Sequence, residues 1–445
     1  MNKPKVSIII PVFNSESLLT DCLMSVKNQT LSDIEIICID DGSSDNSLKI
    51  LKDFSKGDDR FKIFHQENSG AGFSRNVALE KVTGEFVLFL DSDDWIENDA
   101  CEKLYNQAIN LNSDLVLFDA VRHLPDNQSM DLIHFLDEDS NKDFSSLSFD
   151  YKLVKNKVLN AYFGVIWSKF YKSSFIFENN IKFPHHKLYN DVEFHVKSML
   201  LAKRISYFPK IFYHYNRIGQ DSLQTLYVSS SEAIVFYDVM CGIKEFLLEN
   251  NFFDEFKLEF IEFTFKEFER KLNEMDNEFK PHYFEKIKLF FKSLNISAYD
   301  LNKISFYYLV FYIHAMISEN YIEFKLMQDN YNGEMSLDNF DNIHCSEKYL
   351  IKDYLFLLEN NFSQLVNYSE ELEYYLNLYK QKNLANKKLI NNIYSSSDEL
   401  MRFNDMIKYL QQQNDYLVSE NLELKNQLNE NIFSKGFKKV FKKLS

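Results

Sequence analysis

Residues that crosslink a chain or break its regular structure are scarce in this sequence. Its 445 residues include five cysteines, six prolines and ten glycines. The cysteines are odd in number and scattered, which argues against a disulfide framework and predicts reduced thiols in a cytoplasmic protein. They are Cys22, Cys38, Cys101, Cys241 and Cys345.

Excess basic charge and long apolar runs are also lacking. The net charge of −16 argues against general nucleic-acid binding, since proteins that bind nucleic acid usually carry a basic patch. The longest nearly apolar run, residues 304–317, contains Ser305 and His314. It is shorter than the roughly 20 residues that span a bilayer and predicts a buried helix. No leader-like segment precedes the first apolar run, so we expect no signal peptide.

Four apolar, strand-like runs occur in the first 90 residues, and each one ends in a polar loop. They cover residues 6–12, 34–39, 61–65 and 85–90. Helical stretches separate them, which is the βαβ pattern of a parallel sheet. Because crossovers are right-handed and return each strand in the same direction, the four loops should lie along one sheet edge. Ligands bind at this edge in open α/β sheets.

The fourth loop begins with Asp91-Ser92-Asp93-Asp94. Three carboxylates within four residues repel one another, so their crowding is best explained by a divalent cation and the phosphates that it holds. Mg²⁺ typically combines one or two carboxylates with substrate phosphates. The alternative is an acidic, solvated turn that caps the following helix.

Four motifs, taken together in their order and spacing, resemble the nucleotide-binding half of a bacterial family 2 glycosyltransferase of the GT-A fold. The motifs are PVFNSE, DDGSSDNS, NSGAGFSRN and DSDDW. The resemblance continues to about Leu223 through WSKFYKSSFIFENNIKF, YNDVEFHVKSML and RISYFPKIFYHYNRIGQDSL. It covers roughly the first half of the chain and implies an α/β, Rossmann-like GT-A domain over residues 1–228.

The resemblance implies a set of residues that bind the nucleotide. Asp41 would accept a hydrogen bond from the base, Asp91 would face the ribose, and Asp93 would bind a metal ion, Mn²⁺ or Mg²⁺, that bridges the diphosphate. The full nucleotide-binding set would be Pro11, Val12, Asn14, Glu16, Asp41, Arg75, Asp91 and Ser92.

The catalytic base implied by the resemblance is Asp191, in YNDVEF. The family usually has Glu-Asp at this point, whereas this chain has Asn190-Asp191, so a carboxylate that might tune the base is missing. Glu193 is a fallback candidate for the base. Asp191 also precedes a run with helical apolar periodicity, so an N-cap role is a compatible interpretation.

Three further residues are candidates for the site, and two of them, His214 and Trp167, have an alternative interpretation. Some relatives use a histidine near His214 as a metal ligand, although a lone histidine is more often packed or hydrogen-bonded. Trp167 and Lys169 are placed on the acceptor or sugar side, although tryptophan is also an ordinary core residue.

The second half of the chain has a different composition. From about Ser229 glycine and proline become rare and apolar residues recur at helical spacing, which predicts a helical domain over residues 229–362. Residues 363–432 predict a long helical region with a coiled coil that favours a parallel dimer. An amphipathic helix lying on the body is the alternative. The heptad columns are Phe403, Leu410, Leu417 and Leu424, with Ile407, Asn414, Asn421 and Leu428.

The last segment, residues 433–445, has phenylalanines on one helical face and lysines on the others, with no acid. Such a helix suits the surface of an anionic membrane, so we expect peripheral attachment to the inner face of the cytoplasmic membrane. A tail that packs on the protein's own acidic surface is the alternative.

These inferences favour an inverting, metal-dependent hexosyl- or N-acetylhexosaminyltransferase. It would move a sugar from a UDP-linked donor to a glycan or lipid-linked glycan in bacterial surface polysaccharide synthesis. A nucleotidyltransferase is disfavoured because no basic, glycine-rich phosphate loop opens the chain. A coiled-coil scaffold with an inactive transferase domain is disfavoured because Asp41, Asp93 and Asp191 are all present.

Overall fold

The computed structural model describes residues 3–123, 130–133, 146–159, 164–186, 188–216, 234–297, 300, 303–318, 320–325 and 328. The chain divides into two compact units, Met1–Phe279 and Lys280–Ser445. The predicted coiled coil and basic tail lie outside the described residues, and both stay predictions.

The first unit contains a mixed sheet with helices around it. Its strands are β1 (Val6–Val12), β2 (Ile34–Asp41), β3 (Phe61–Gln66), β4 (Phe86–Phe89), β5 (Trp95–Ile96), β6 (Leu115–His123), β7 (Met130–Ile133), β8 (Ser148–Phe149), β9 (Lys169–Lys172) and β10 (Ile205–Asn216). Its helices are α1 (Leu19–Lys27), α2 (Ser47–Ser55), α3 (Ala71–Leu79), α4 (Ala100–Asn110), α5 (Lys155–Val158), α6 (Ser173–Glu178), α7 (Asn190–Leu201), α8 (Phe236–Glu249) and α9 (Phe253–Glu274). A 3-10 helix spans Tyr151–Val154.

The first four predicted strands form a parallel sheet in the order β3-β2-β1-β4. This confirms the βαβ pattern and the shared edge at the carboxyl ends of these strands. All residues of β1 and β2 are buried, as expected for apolar strands with both faces covered.

The remainder of the sheet is mixed. Strand β9 pairs antiparallel with both β4 and β6, so it joins the parallel half to the rest. Strand β10 runs parallel to β6 and pairs antiparallel with the short β5. Because β5 directly follows the acidic loop, this pairing holds the loop against the end of β10.

Both faces of the sheet pack against apolar side chains. On one face, alternate residues of β1 pack with α1 and α4 through residues such as Leu23 and Leu104. Elsewhere in the sheet, Phe89 of β4 contacts Phe183 and Phe194, whose rings stack at 4.1 Å. Phe194 belongs to α7, so this aromatic cluster anchors α7 to the sheet.

Where the structure describes the segment after Ser229, it contains helices, and the extent of the predicted helical domain stays a prediction. Helices α8 and α9 belong to the first compact unit, which therefore extends beyond the predicted boundary at residue 228. The second unit contains α10 (Lys280–Ser293) and α11 (Phe306–Ile317), and these two helices contact each other.

The cysteines and the apolar segments have the following structures in the described residues. Cys22, Cys38, Cys101 and Cys241 are free thiols. Within the described ranges, no helix has both the length and the apolar character needed to cross a membrane.

Candidate active site

Reciprocal hydrogen bonds join the loops that follow β1 and β2. Asn14 Oδ1 accepts from the backbone N–H of Ser44 at 2.8 Å, and the Asn14 N–H donates to Ser43 Oγ at 3.1 Å. Glu16 Oε2 accepts from the backbone and side-chain nitrogens of Asn46 at 2.9 and 2.8 Å. Asn14 and Glu16, both predicted to bind the nucleotide, therefore hold the loop after β1 against the loop after β2. Pro11 and Val12, just before them, are buried.

Asp41, at the end of β2, organises the start of α3. Its carboxylate accepts from the backbone N–H groups of Ser69 and Gly70 at 2.9 and 2.8 Å and from Gln66 Nε2 at 2.7 Å. Gly70 has a φ of 90°, which glycine adopts without strain. A carboxylate offers about four acceptor positions, so Asp41 retains capacity for a ligand.

Arg75, on α3, bridges two parts of the site that are far apart in sequence. One terminal nitrogen donates to Asp91 Oδ1 at 2.6 Å, and the other donates to Asn190 Oδ1 at 3.0 Å. The side chain is buried, its guanidinium lies 5.4 Å from the Phe183 ring, and its Nε has no hydrogen-bond partner among the described residues. Arg75 thus connects the acidic loop to the start of α7.

The acids of the DSDD run have different environments. Asp94 is buried and accepts from the Tyr213 hydroxyl at 2.5 Å and from the Asn216 N–H at 2.7 Å, so it holds β10. Burial and the neighbouring Asp93 and Asp91 raise the pKa of Asp94. Burial, followed by Asp91, raises the pKa of Asp93 to about 6.

Ser92 has a structural contact of its own. Its hydroxyl lies 2.7 Å from that of Ser15, which joins the acidic loop to the loop after β1. The Ser15 N–H in turn donates to Ser47 Oγ at 2.8 Å, at the start of α2. The acidic loop, the loop after β1 and the start of α2 are therefore joined by hydrogen bonds.

The donor chemistry of Asp93 fits a divalent cation shared with phosphates. A carboxylate whose pKa is raised by burial and a neighbouring acid is stabilised in its charged form by a nearby cation. Over the described part of the chain, no three histidine, cysteine or acidic side chains are grouped to hold a metal alone. Carboxylate and diphosphate oxygens together would complete the hard oxygen set that Mg²⁺ or Mn²⁺ prefers.

Asp191 lies at the second position of α7, in its first turn. The N-cap position is taken by Tyr189, so the N-cap interpretation of Asp191 is wrong: the helix starts at Asn190, two residues earlier than a cap at Asp191 would place it. Burial raises the pKa of Asp191, while Arg75 and Lys169 lower it. Gly72 permits the close approach of α3, since a Cβ there would be 2.9 Å from the Asn190 side chain.

Glu193, the fallback base, has different surroundings. It is buried, accepts from Lys197 Nζ at 2.5 Å, and packs against Gly242 of α8. The Glu193 carboxylate is occupied by Lys197, so these contacts favour Asp191 as the base.

His214 lies on β10 opposite Trp95. Its Nε2 lies 2.9 Å from Glu97 Oε1, its Nδ1 lies 3.0 Å from His123 Nε2, and its ring stacks on Trp95 at 5.2 Å. Both nitrogens thus have partners, as the packed and hydrogen-bonded alternative expects. Its role as a metal ligand stays a prediction.

Trp167 and Lys169 are both buried. Trp167 stacks on Tyr213 with ring centroids 4.4 Å apart, and it belongs to the core cluster. Lys169 Nζ donates to the carbonyl of Val165. Burial lowers the pKa of Lys169 to about 7, and nearby Asp191 opposes this shift. Both side chains are enclosed by the protein, and their predicted place on the acceptor or sugar side stays a prediction.

The sequence left several site residues unidentified. Tyr213 binds Asp94, and Tyr189 begins α7 in a left-handed conformation with φ of 57°. Lys271 of α9 contacts Tyr189. The alternation of aromatic residues around His214 was a signal for Tyr213, whereas no local pattern marks a residue such as Lys271 in a charged helix.

A parallel sheet whose carboxyl-end loops are joined by polar side chains places the protein in the class of α/β proteins that bind ligands at this edge. The model of the glycosyl transferase family 2 matches residues 7–175. EpsH of Bacillus subtilis (strain 168), which is named as a glycosyltransferase, is 33% identical over 267 residues, or 58% of this chain and 74% of EpsH. The chain belongs to glycosyl transferase family 2, which confirms the resemblance.

Two other similarities extend this comparison. The poly(ribitol-phosphate) beta-glucosyltransferase of Bacillus spizizenii is 35% identical over 218 residues, which are 47% of this chain and 32% of that protein. The crystal structure of S. aureus TarS 1-349 in complex with UDP-GlcNAc has a TM-score of 0.60 at 23% identity. The matched region covers 74% of this chain and 92% of the TarS chain, so the two proteins share a fold.

Replacing Arg75 with lysine should destabilise the protein, because one ammonium group cannot reproduce two divergent contacts. Loss of one hydrogen bond to a charged group predicts a decrease of about 2 kcal/mol in the free energy of unfolding, measured with urea. The control is Arg60→Lys, at a more exposed arginine that pairs with Asp58. Equal effects of the two substitutions would contradict the bridging role of Arg75.

Proposed function

We propose that this chain is an inverting, metal-dependent glycosyltransferase that transfers a sugar from a UDP-linked donor to a glycan or lipid-linked glycan. The observation that carries the proposal is the Arg75 bridge, since one side chain bonds both Asp91 and Asn190. It holds the acidic loop for the donor and the helix turn that carries Asp191 at a fixed separation, as a two-sided transfer site requires.

On the donor side, the interlocked loops form a rigid wall against which a nucleoside can bind. Asp41 accepts from the base, Asp91 and Ser92 lie beside the ribose, and Asp93 is a cation ligand. A divalent cation, when bound, neutralises the charge that develops on the leaving diphosphate.

On the acceptor side, Asp191 acts as the general base. Its carboxylate takes the proton of the acceptor hydroxyl as that oxygen bonds to the anomeric carbon and the bond from carbon to diphosphate oxygen breaks. A single in-line displacement inverts the anomeric centre and needs only one base. Burial raises the pKa of Asp191, which makes it a stronger base than an exposed aspartate.

The comparisons support the choice of donor and acceptor classes. The TarS structure of the same fold contains UDP-GlcNAc, which favours a UDP-linked hexose or N-acetylhexosamine as donor. The Bacillus spizizenii relative is named for a poly(ribitol-phosphate) acceptor, which favours a bacterial surface polymer as acceptor.

The proposal extends to the cellular site of the reaction. The lysines and phenylalanines of residues 433–445 suit an anionic membrane surface, where lipid-linked acceptors would be available. The heptads between Phe403 and Leu428 favour a dimer, which would double the number of such tails.

Asp93→Ala should lower turnover at least ~10²-fold, because it removes a ligand for transition-state charge. Folding should persist, since the substitution relieves repulsion with Asp91. Transfer of radiolabelled sugar with and without Mn²⁺ measures the effect. The control, Asp94→Ala, should lose about 1–3 kcal/mol of stability because the Tyr213 and Asn216 donors lose their acceptor. Full turnover of wild type in EDTA would contradict the metal role.

Asp191→Asn should retain donor affinity and lose transfer, because the amide keeps the shape and cannot accept the proton. Donor affinity is measured by calorimetry with UDP and Mn²⁺, and transfer is measured under saturating substrates. In wild type, kcat/KM should fall as the pH falls through the raised pKa of Asp191, above the usual ~3.9. Glu193→Gln is the matched control and should keep most activity. Undiminished transfer by Asp191→Asn would move the base elsewhere.

A chain ending at Asn431 should lose binding to anionic vesicles, because each lysine near such a surface contributes about 1 kcal/mol. Co-sedimentation with phosphatidylglycerol vesicles at low salt measures this, and neutral vesicles are the control. Equal binding by the shortened and full chains would place the attachment outside the tail.

A further inference from the structure

Tyr189, the residue before α7, has an unusual backbone conformation. Its φ of 57° and ψ of 21° are left-handed, which a bulky L-residue rarely adopts. Such conformations persist only where the surrounding structure holds them. The direction of the first turn of α7, and so the position of Asp191, depends on the contacts of Tyr189.

The strongest of these contacts come from α8 and α9. Lys271 Nζ donates to the Tyr189 hydroxyl at 2.5 Å and lies 3.9 Å from the centre of its ring. Phe236, at the start of α8, meets the same ring edge-on at 5.2 Å. Tyr189 and Lys271 are both buried, at 8% and 3% exposure, so these contacts are shielded from water.

The burial of Lys271 is costly and needs an explanation. Burial, followed by the neighbouring Arg270, lowers the pKa of Lys271 to about 8. The nearby acids Glu267 and Glu274 pair with Arg270, at 2.6 and 2.9 Å. The hydrogen bond and the ring contact to Tyr189 provide the compensation that a buried ammonium group requires.

A second contact joins α8 to the same part of α7. A Cβ at Gly242 would lie 2.6 Å from Glu193 Oε2, so glycine permits the close approach of the Glu193 carboxylate to α8. Glycine in a helix interior is unfavourable relative to alanine, and this approach accounts for it. Glu193 is fixed in turn by Lys197, which lies 5.7 Å from the ring centre of Phe246 on α8.

We propose that α8 and α9 position Asp191, with Lys271 acting through Tyr189 as a positioning residue for proton transfer. The inference rests on the proposed role of Asp191 as the base. It assigns a task to the helical extension, which fixes the first turn of α7 against the sheet domain. Lys271 contacts Tyr189, two residues from Asp191, and need not touch substrate.

The experiment uses the full chain with Lys271→Met, which keeps length and removes the donor, and Tyr189→Phe, which removes only the acceptor hydroxyl. Each should lower kcat about 10-fold and leave the donor KM and the affinity for UDP within about 2-fold, because misplacement of a base affects the chemical step. The double variant should be no worse than either single variant. Lys266→Met, at an exposed lysine of α9, is the control and should match wild type.

Hydrogen exchange provides a readout besides activity. Amides of residues 190–194 should exchange faster in Lys271→Met than in wild type, and those of β1 should not change. In an Asp191→Asn background, Lys271→Met should cause no further loss of transfer, because the step that it assists is already absent. These results together would support positioning through Tyr189.

Other outcomes would overturn the inference. A lower melting temperature with unchanged kcat, or an equal loss of kcat in Lys266→Met, would reduce Lys271 to an ordinary packing residue. If Lys271→Met does not fold, Tyr189→Phe with unchanged kcat and exchange decides against the proposal. Full transfer by Asp191→Asn would refute the proposed role of Asp191 as the base. Unchanged exchange at residues 190–194 in Lys271→Met would instead refute the positioning role of Lys271.

Discussion

The ion pair and hydrogen bond of Arg75 are the interactions on which the site depends. Burial raises the pKa of both Asp93 and Asp191, and the buried positive charge of Arg75 opposes this rise at each of them. Arg75 is itself held by α3, whose first turn is built on the carboxylate of Asp41. The donor loop and the proposed base are therefore linked through one guanidinium group to the end of β2.

This arrangement separates acids that look alike in sequence. Asp94 accepts hydrogen bonds from Tyr213 and Asn216, and Glu193 forms an ion pair with Lys197. The pKa values of Asp93 and Asp191 are raised, because the positive charge of Arg75 only partly offsets the effect of burial. Perturbed acids in a cleft mark functional sites, which agrees with the roles proposed for these two residues.

The sequence predicted the parallel half of the sheet because each strand there is a continuous apolar run that ends in a polar loop. It did not predict the mixed half. Strand β9, with the sequence KFYK, is short, and its antiparallel pairing is decided by β4 and β6 on either side. The positions of the site residues depend equally on such distant contacts.

The start of α7 illustrates the same limit. The pattern Asn190-Asp191 suggested a cap at Asp191, but the helix begins at Asn190 because Tyr189 is held left-handed. The residues that hold it come from α8 and α9, more than 40 residues later in the chain. Local periodicity indicates that α9 is a helix, but it does not show that Tyr189 is the partner of the buried Lys271.

The central claim is that one cleft holds the donor diphosphate at Asp93 and the acceptor hydroxyl at Asp191, with Arg75 between them. A crystal structure with Mn²⁺ and a non-transferable UDP-sugar analogue tests this most directly. The account predicts an Asp93 oxygen within about 2.0–2.3 Å of the cation, as hard oxygen ligands require, and the anomeric carbon facing Asp191. A diphosphate bound away from Asp93, or an anomeric carbon that faces away from Asp191, would contradict it.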